Sequence, residues 1–221
     1  MKKQTVLTTA AILLVSLAVR AEVKITVDHN VGDLARPEFK FKTVPSPSTN
    51  DAATSAKFTI LDGEQDSAGG GVEKLNDGKL PTEEDQPDEN FFFNAGTEGG
   101  RLQVDLGSVI AVKQVNTYSW HSDTRAPQVY KLYASDGTAE GFNAKPKKGV
   151  NPEQCGWKFV AKVNTKPKAG EQGSGQYGVS IADSDGALGK YCYLLFDVSY
   201  TEDDDSFGNT FYSEIDVVEQ K

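Results

Sequence analysis

Short runs in this chain repeatedly alternate apolar and polar residues with a period of two. Val23, Ile25 and Val27 alternate with Lys24 and Thr26, and Leu102, Val104 and Leu106 with Gln103 and Asp105. The same pattern recurs at Phe58–Ile60, Tyr130–Ala134, Trp157–Val163, Tyr177–Ile181, Cys192–Val198 and Phe211–Val217. A period of two places alternate side chains on opposite faces, so each run reads as a strand with one face buried. Asp-Gly pairs at 62–63, 77–78, 136–137 and 185–186 supply turns between the runs. Helical periodicity is nearly missing, beyond one turn expected from Val72 to Asn76. Many strands, frequent turns and no helix-period segment predict an all-β sandwich or barrel. Between Val112 and Val115 the apolar step changes parity, which predicts a bulge.

The amino terminus bears on compartment. Lys2 and Lys3 precede a mostly apolar run from Thr5 to Val19, and Val19-Arg20-Ala21 provides a cleavage site. Residues 1–21 are therefore expected to be a signal peptide, leaving an exported protein: periplasmic, secreted or on the cell surface. Residues 22–56, with "VPSPSTNDAATSA", read as an N-terminal arm or linker packing on a domain that spans 57–221. The net charge is −9, and −12 once Lys2, Lys3 and Arg20 are removed. A surface this acidic repels nucleic acid and anionic lipid, and no second apolar stretch is long enough to insert in a membrane. Cys155 and Cys192 are the two cysteines. An exported chain favours a disulfide between them, and separate thiols are the alternative.

Six stretches occur in a telling order: "LNDGKLPTEEDQPDENFFFN", "GGRLQVDLGSVIAVKQVNTYSW", "QVYKLYASDGT", "GWKFVAKV", "GKYCYLLFDVS" and "FYSEIDVVE". Over residues 72 to 219 this series resembles the discoidin family, the coagulation factor 5/8 type C domains, and is similar to family 32 carbohydrate-binding modules. The resemblance implies an antiparallel β-sandwich of the galactose-binding-like jelly-roll class. It also implies a structural Ca²⁺ held by Asp77, Thr82 and Glu214, with backbone carbonyls near Lys74 and Lys79; such oxygen ligands suit calcium. The acidic segment "DDDSFGNTFYSE" spaces its acids somewhat like an EF-hand loop. Phe207 stands at a ligand position, and the flanks alternate like strands, which argues against that motif.

The resemblance also focuses attention on "TYSWHSDTR", residues 117–125. Sugar-binding members often read Y-x-P-R here, with the Arg gripping ring hydroxyls. Aligned on Tyr118, this chain has Trp120 at the Pro and His121 at the Arg, and Arg125 stands nearby to supply a guanidinium. Trp120 either stacks on a sugar or folds back into the core. Phe92, Phe207 and Tyr212 are expected on the same rim, since aromatic faces suit the CH face of a sugar; at least one residue of the Phe91–Phe93 triplet belongs to the core. The chain lacks H-E-x-x-H, G-x-S-x-G and C-x-x-C. The expectation is a non-catalytic module for a glycan or cell-surface polysaccharide. The alternative is a protein–protein interaction or adhesion module, and glycoside hydrolysis by paired acids is a more distant one.

Overall fold

A computed structural model describes residues 22–94, 98–184, 186–201 and 209–221. Residues 1–21, expected to be a signal peptide, lie outside them, as do Asp185, Phe207 and the acids at 203–205. Among the described residues eight strands form the architecture: β1 (Val23–Asn30), β2 (Lys57–Asp62), β3 (Gly100–His121), β4 (Val129–Ser135), β5 (Lys158–Asn164), β6 (Gly175–Asp183), β7 (Gly189–Val198) and β8 (Tyr212–Glu219). All pairings are antiparallel.

The long strand β3 organises them. Its first half pairs with β2 and β7, and its second half with β6 and β8. Between Asp105 and Ile110 its register against β7 shifts, and Gly107 takes φ +76°, a backbone region that favours glycine. The two halves thereby feed two layers. Leu102, Val104, Leu132, Leu194 and Phe196 of one layer pack in a single core with Val115, Val179, Ile181, Ile215 and Val217 of the other. This is a β-sandwich filled by inward residues of both layers. The expected bulge lies between Val112 and Gln114, where the register against β8 shifts, so Val112 and Val115 are both fully buried. Val72–Leu75 forms a 3-10 turn, and Gly63, Gly78 and Gly137 close their turns at positive φ. Among the described residues no helix is long and apolar enough to cross a membrane.

The structure bears on two expectations. Residues 22–56, expected as an arm or linker packing on the domain, include the expected strand Val23–Asn30, which runs in full register with β6, and Asp28 accepts hydrogen bonds from the Thr43 and Val44 N–H groups. Phe39 and Val44 then cover Tyr118 and Trp120 on the outer face of β3. The sequence hides this because Pro- and Ser-rich segments lack periodicity even when they pack. The expected disulfide is not formed, and Cys155 and Cys192 are free. Cys155 packs against the Leu61–Tyr133–Trp157–Leu195 cluster, whereas Cys192 Sγ is turned to Asp105 Oδ1, 3.9 Å away. Burial and the Asp105 carboxylate both push the Cys192 thiol up, which suppresses its thiolate. Alkylation of the unfolded, unreduced protein should modify both thiols. A mass showing neither modified would restore the bridge.

Candidate functional site

The loop that follows β3 is pinned from several directions. Buried Gln128 donates from Nε2 to the Thr117 carbonyl (3.2 Å) and Ser119 Oγ (3.0 Å), and accepts from Thr117 Oγ1 (2.5 Å). Ser119 Oγ donates to the Ala126 carbonyl, Thr201 Oγ1 to that of Thr124, and Phe211 N to that of Arg125. Buried polar groups satisfied this way hold a loop in one conformation. Arg125 is consequently fixed beside an aromatic pair. Phe92 and Phe211 stack with centroids 4.0 Å apart, and the guanidinium carbon lies 4.5 Å and 4.2 Å from their respective ring centres. Its Nε donates to the Asn209 carbonyl at 3.2 Å.

His121 stands edge-on to Phe211, centroids 4.5 Å apart. Its Nδ1 accepts the Asp123 N–H at 2.9 Å, which places the proton of a neutral ring on Nε2, 3.9 Å from Asp85 Oδ1. Burial, then the Arg125 charge, lowers its pKa, so the ring is neutral at pH 7. These groups, with Asp66, Ala68, Pro87 and Thr124, line a cavity of about 430 Å³. It presents N–H donors from Arg125 and His121 and carboxylate acceptors from Asp66, Asp85 and Asp123. Convergent donors and acceptors on an apolar base suit a polyhydroxylated ligand.

Of the residues expected here, the structure brings His121, Arg125 and Phe92 together. Trp120 belongs elsewhere. It is 4 % exposed and meets Phe39 edge-on, centroids 5.7 Å apart, beneath the N-terminal segment. Neighbours on a strand point to opposite faces, so Trp120 and His121 cannot share one site. Phe92 is itself buried, with Arg125 and Phe211 against it, so it supports the guanidinium and is no open stacking platform. Tyr212 lies in the central core, where its backbone bridges to Phe91. Phe211, read as core from its parity with Ile215 and Val217, takes the rim position. A register shift between Tyr118 and Ser119 against β8 explains the exchange: Tyr118 pairs Glu214 and Ser119 pairs Tyr212. The extra residue, Ser213, reverses the facing of everything before it. Nothing in the alternation announces that bulge. Asp66 and Asp85 lie in turn-like segments and give no sequence signal.

A second polar group lies at the 76–78 turn and β8. Glu214 is 2 % exposed; the Gly78 N–H reaches its carboxyl, yet Oε2 is buried with no hydrogen-bond partner. Burial first, then Asp216, Asp77 and Asp51, raises its pKa to about 9. Asp216, which accepts from Tyr118 Oη (3.1 Å) and Ser48 N (3.2 Å), is raised to about 7 by burial and Asp51. Asp77 Oδ1 accepts from Lys79 N at 2.8 Å, and Oδ2 lies 3.5 Å from Lys74 Nζ. Thr82 is exposed, and both its N–H and hydroxyl are directed to Gln86 Oε1. Among the described residues no three His, Cys, Asp or Glu side chains form a metal-holding group. A cation here would draw on Glu214, Asp77 and backbone carbonyls, and the unpartnered Oε2 is the feature that fits one.

No protein-family model matches the chain, and no curated protein matches it in sequence. Solved structures do match. A fucolectin from striped bass (Morone saxatilis) serum aligns over 80 % of this chain and 50 % of its own length, with TM-score 0.51 and 12 % identity. The lectin domain of lectinolysin, solved with Lewis B antigen, aligns over 79 % of this chain and 100 % of its own (TM-score 0.48, 14 % identity). The CpGH89CBM32-4 module of Clostridium perfringens covers 76 % and 98 % (TM-score 0.46, 13 % identity). The fucolectin spans about twice the matched length, and at these identities the likeness concerns fold. The chain thus has the all-β, discoidin-type jelly-roll fold that the fucolectin carries.

Proposed function

We propose that this protein is an exported, non-catalytic module that binds a glycan in the His121–Arg125 cavity and is stabilised by calcium at Glu214 and Asp77. The observation that carries the glycan reading is the convergence of Arg125, neutral His121 and the carboxylates of Asp66 and Asp85 on one cavity. Guanidinium and imidazole N–H groups donate to hydroxyl oxygens, and carboxylates accept the hydroxyl protons. The aromatic pair contributes by holding Arg125 flat and rigid, which reduces the ordering cost of binding. Sharing a fold with a lectin supports the reading by analogy. A shallow site of this kind binds in the micromolar to millimolar range, about −8 to −4 kcal/mol.

The export reading rests on the n-region, apolar run and cleavage site at 1–21; N-terminal sequencing of secreted protein should begin at Glu22. For the glycan, a broad array probed with calcium and with chelator is the test. Binding to a restricted set of sugars, weakened by chelation through loss of stability, is expected. A blank array with folded, calcium-loaded protein would contradict the proposal and favour a protein partner.

A further inference from the structure

His121 closes the first turn of its own loop. The backbone N–H of Asp123 donates to His121 Nδ1 at 2.9 Å. An amide N–H can only donate, so Nδ1 must present a lone pair, and the neutral ring with its proton on Nε2 is the form that does so. An imidazolium carries protons on both nitrogens. Its Nδ1–H would face the Asp123 N–H, donor against donor at hydrogen-bond distance, and the contact must break. Flipping the ring by half a turn would put a carbon where Nδ1 stands and would lose the bond as well. The ring has little space to relax in place: His121 is buried and stands edge-on to Phe211, centroids 4.5 Å apart.

The charged groups that face the ring are Arg125 and Asp123 on its own loop and Asp85, whose Oδ1 lies 3.9 Å from Nε2; Asp66 lines the same cavity. Burial and the Arg125 charge disfavour the imidazolium, whereas Asp85 and Asp123 favour it. The first two prevail, so the pKa lies below the ordinary 6.5. The turn is therefore intact at neutral pH and opens as pH falls through the lowered value. What opens is local. The far end of the loop is anchored apart from His121, by Ser119 Oγ on the Ala126 carbonyl, Thr201 Oγ1 on that of Thr124 and Phe211 N on that of Arg125. Ser122 and Asp123 are exposed, so they can swing into solvent without uncovering the core. Arg125 would stay on the Phe92–Phe211 pair, while the His121 Nε2 donor and the Asp123 carboxylate would leave their places in the cavity.

We propose that His121 is a proton-operated latch: acidification places a proton on Nδ1, breaks the bond to the Asp123 N–H and releases the ligand of this cavity while the fold persists. What is released rests on the glycan reading; the latch itself does not. It is tested first without ligand, by 15N NMR of the folded protein between pH 7.5 and pH 4.5. The His121 ring should be in the Nε2–H form at pH 7.5 and should titrate with a midpoint below 6.5. The hydrogen-exchange protection factor of the Asp123 amide should fall about tenfold or more along the same curve, while that of the Phe211 amide is retained. In His121→Asn, whose side-chain oxygen accepts an N–H two residues on without titrating, Asp123 protection should hold across the range. The second measurement reads the glycan array at pH 7.5, at pH 4.5 and again at pH 7.5, where signals should fall about tenfold or more and then return. An Nδ1–H ring at pH 7.5, a ring still neutral at pH 4.5, or a titrating ring with Asp123 protection unchanged would overturn the latch. So would the same loss of protection in His121→Asn, or array signals equal at the two pH values. A blank array at both would contradict the glycan reading alone, and the amide measurement would still decide the latch.

Discussion

Trp120→Ala should destabilise the protein by about 3–5 kcal/mol, the cost of emptying a buried aromatic site. Trp120 packs with Phe39, Val44 and Tyr118, and its indole Nε1 is buried without a partner. The N–H therefore contributes nothing that a hydrocarbon ring would lack, so Trp120→Phe should cost far less than Trp120→Ala. Phe39→Ala should resemble the alanine variant, because it opens the same cluster from the other side. Phe39 holds φ +44°, a conformation that a non-glycine residue keeps only when its surroundings impose it, and here its ring is clamped between Phe41, Tyr118 and Trp120. Urea denaturation measures all three. A Trp120→Ala protein within 1 kcal/mol of wild type would show that the N-terminal segment does not seal this face.

Calcium removal should have the second large effect. At 100 times its dissociation constant a bound ion contributes about 2.7 kcal/mol, or roughly 5–10 °C in melting temperature for a chain of this size. Chelator should remove that increment, and Glu214→Gln should be indifferent to chelator. The metal-free protein should also be pH-sensitive in a defined sense. Glu214 is raised from 4.5 to about 9 and Asp216 from 3.8 to about 7. An acid raised on folding favours the folded state while protonated. Its contribution is complete below the ordinary value and is lost as pH rises through the folded one. Metal-free stability should therefore fall from about pH 4 to pH 9, with Asp216 ionising first. Calcium should flatten the upper part of that decline by stabilising ionised Glu214, and Glu214→Gln should flatten it without calcium. A melting temperature independent of both chelator and pH over this range would argue against the ion.

The sandwich was legible because burial writes itself into a strand every second residue. Val104, Leu132, Val179, Leu194 and Val217 are all where alternation puts them. The turns were legible because Gly63, Gly78 and Gly137 need positive φ. Alternation says which residues share a face but not whether anything covers it. Trp120 falls on the outer face of β3, and the aperiodic segment holding Phe39 and Val44 decides its burial. Ile25 and Val27 fall on the inner face and stay partly exposed because β1 is an edge strand that touches β5 without pairing with it. A single bulge at Ser213 exchanged Phe211 and Tyr212 between rim and core. His121 and Arg125 were found through family likeness, whereas Asp66 and Asp85 reach the cavity through loops without periodic pattern.

The proposed recognition of a glycan rests on Arg125 and His121. Its most direct measurement is calorimetric titration of one array-positive oligosaccharide into wild type, Arg125→Ala, Arg125→Lys and His121→Ala, each first shown to be folded by its melting curve. Arg125 presents a planar fork of donors that lysine cannot reproduce. Both Arg125 variants should therefore lose at least tenfold in affinity, about 1.4 kcal/mol or more, and His121→Ala should lose a comparable factor. Folded Arg125→Ala and His121→Ala proteins that bind the oligosaccharide as tightly as wild type would contradict the account.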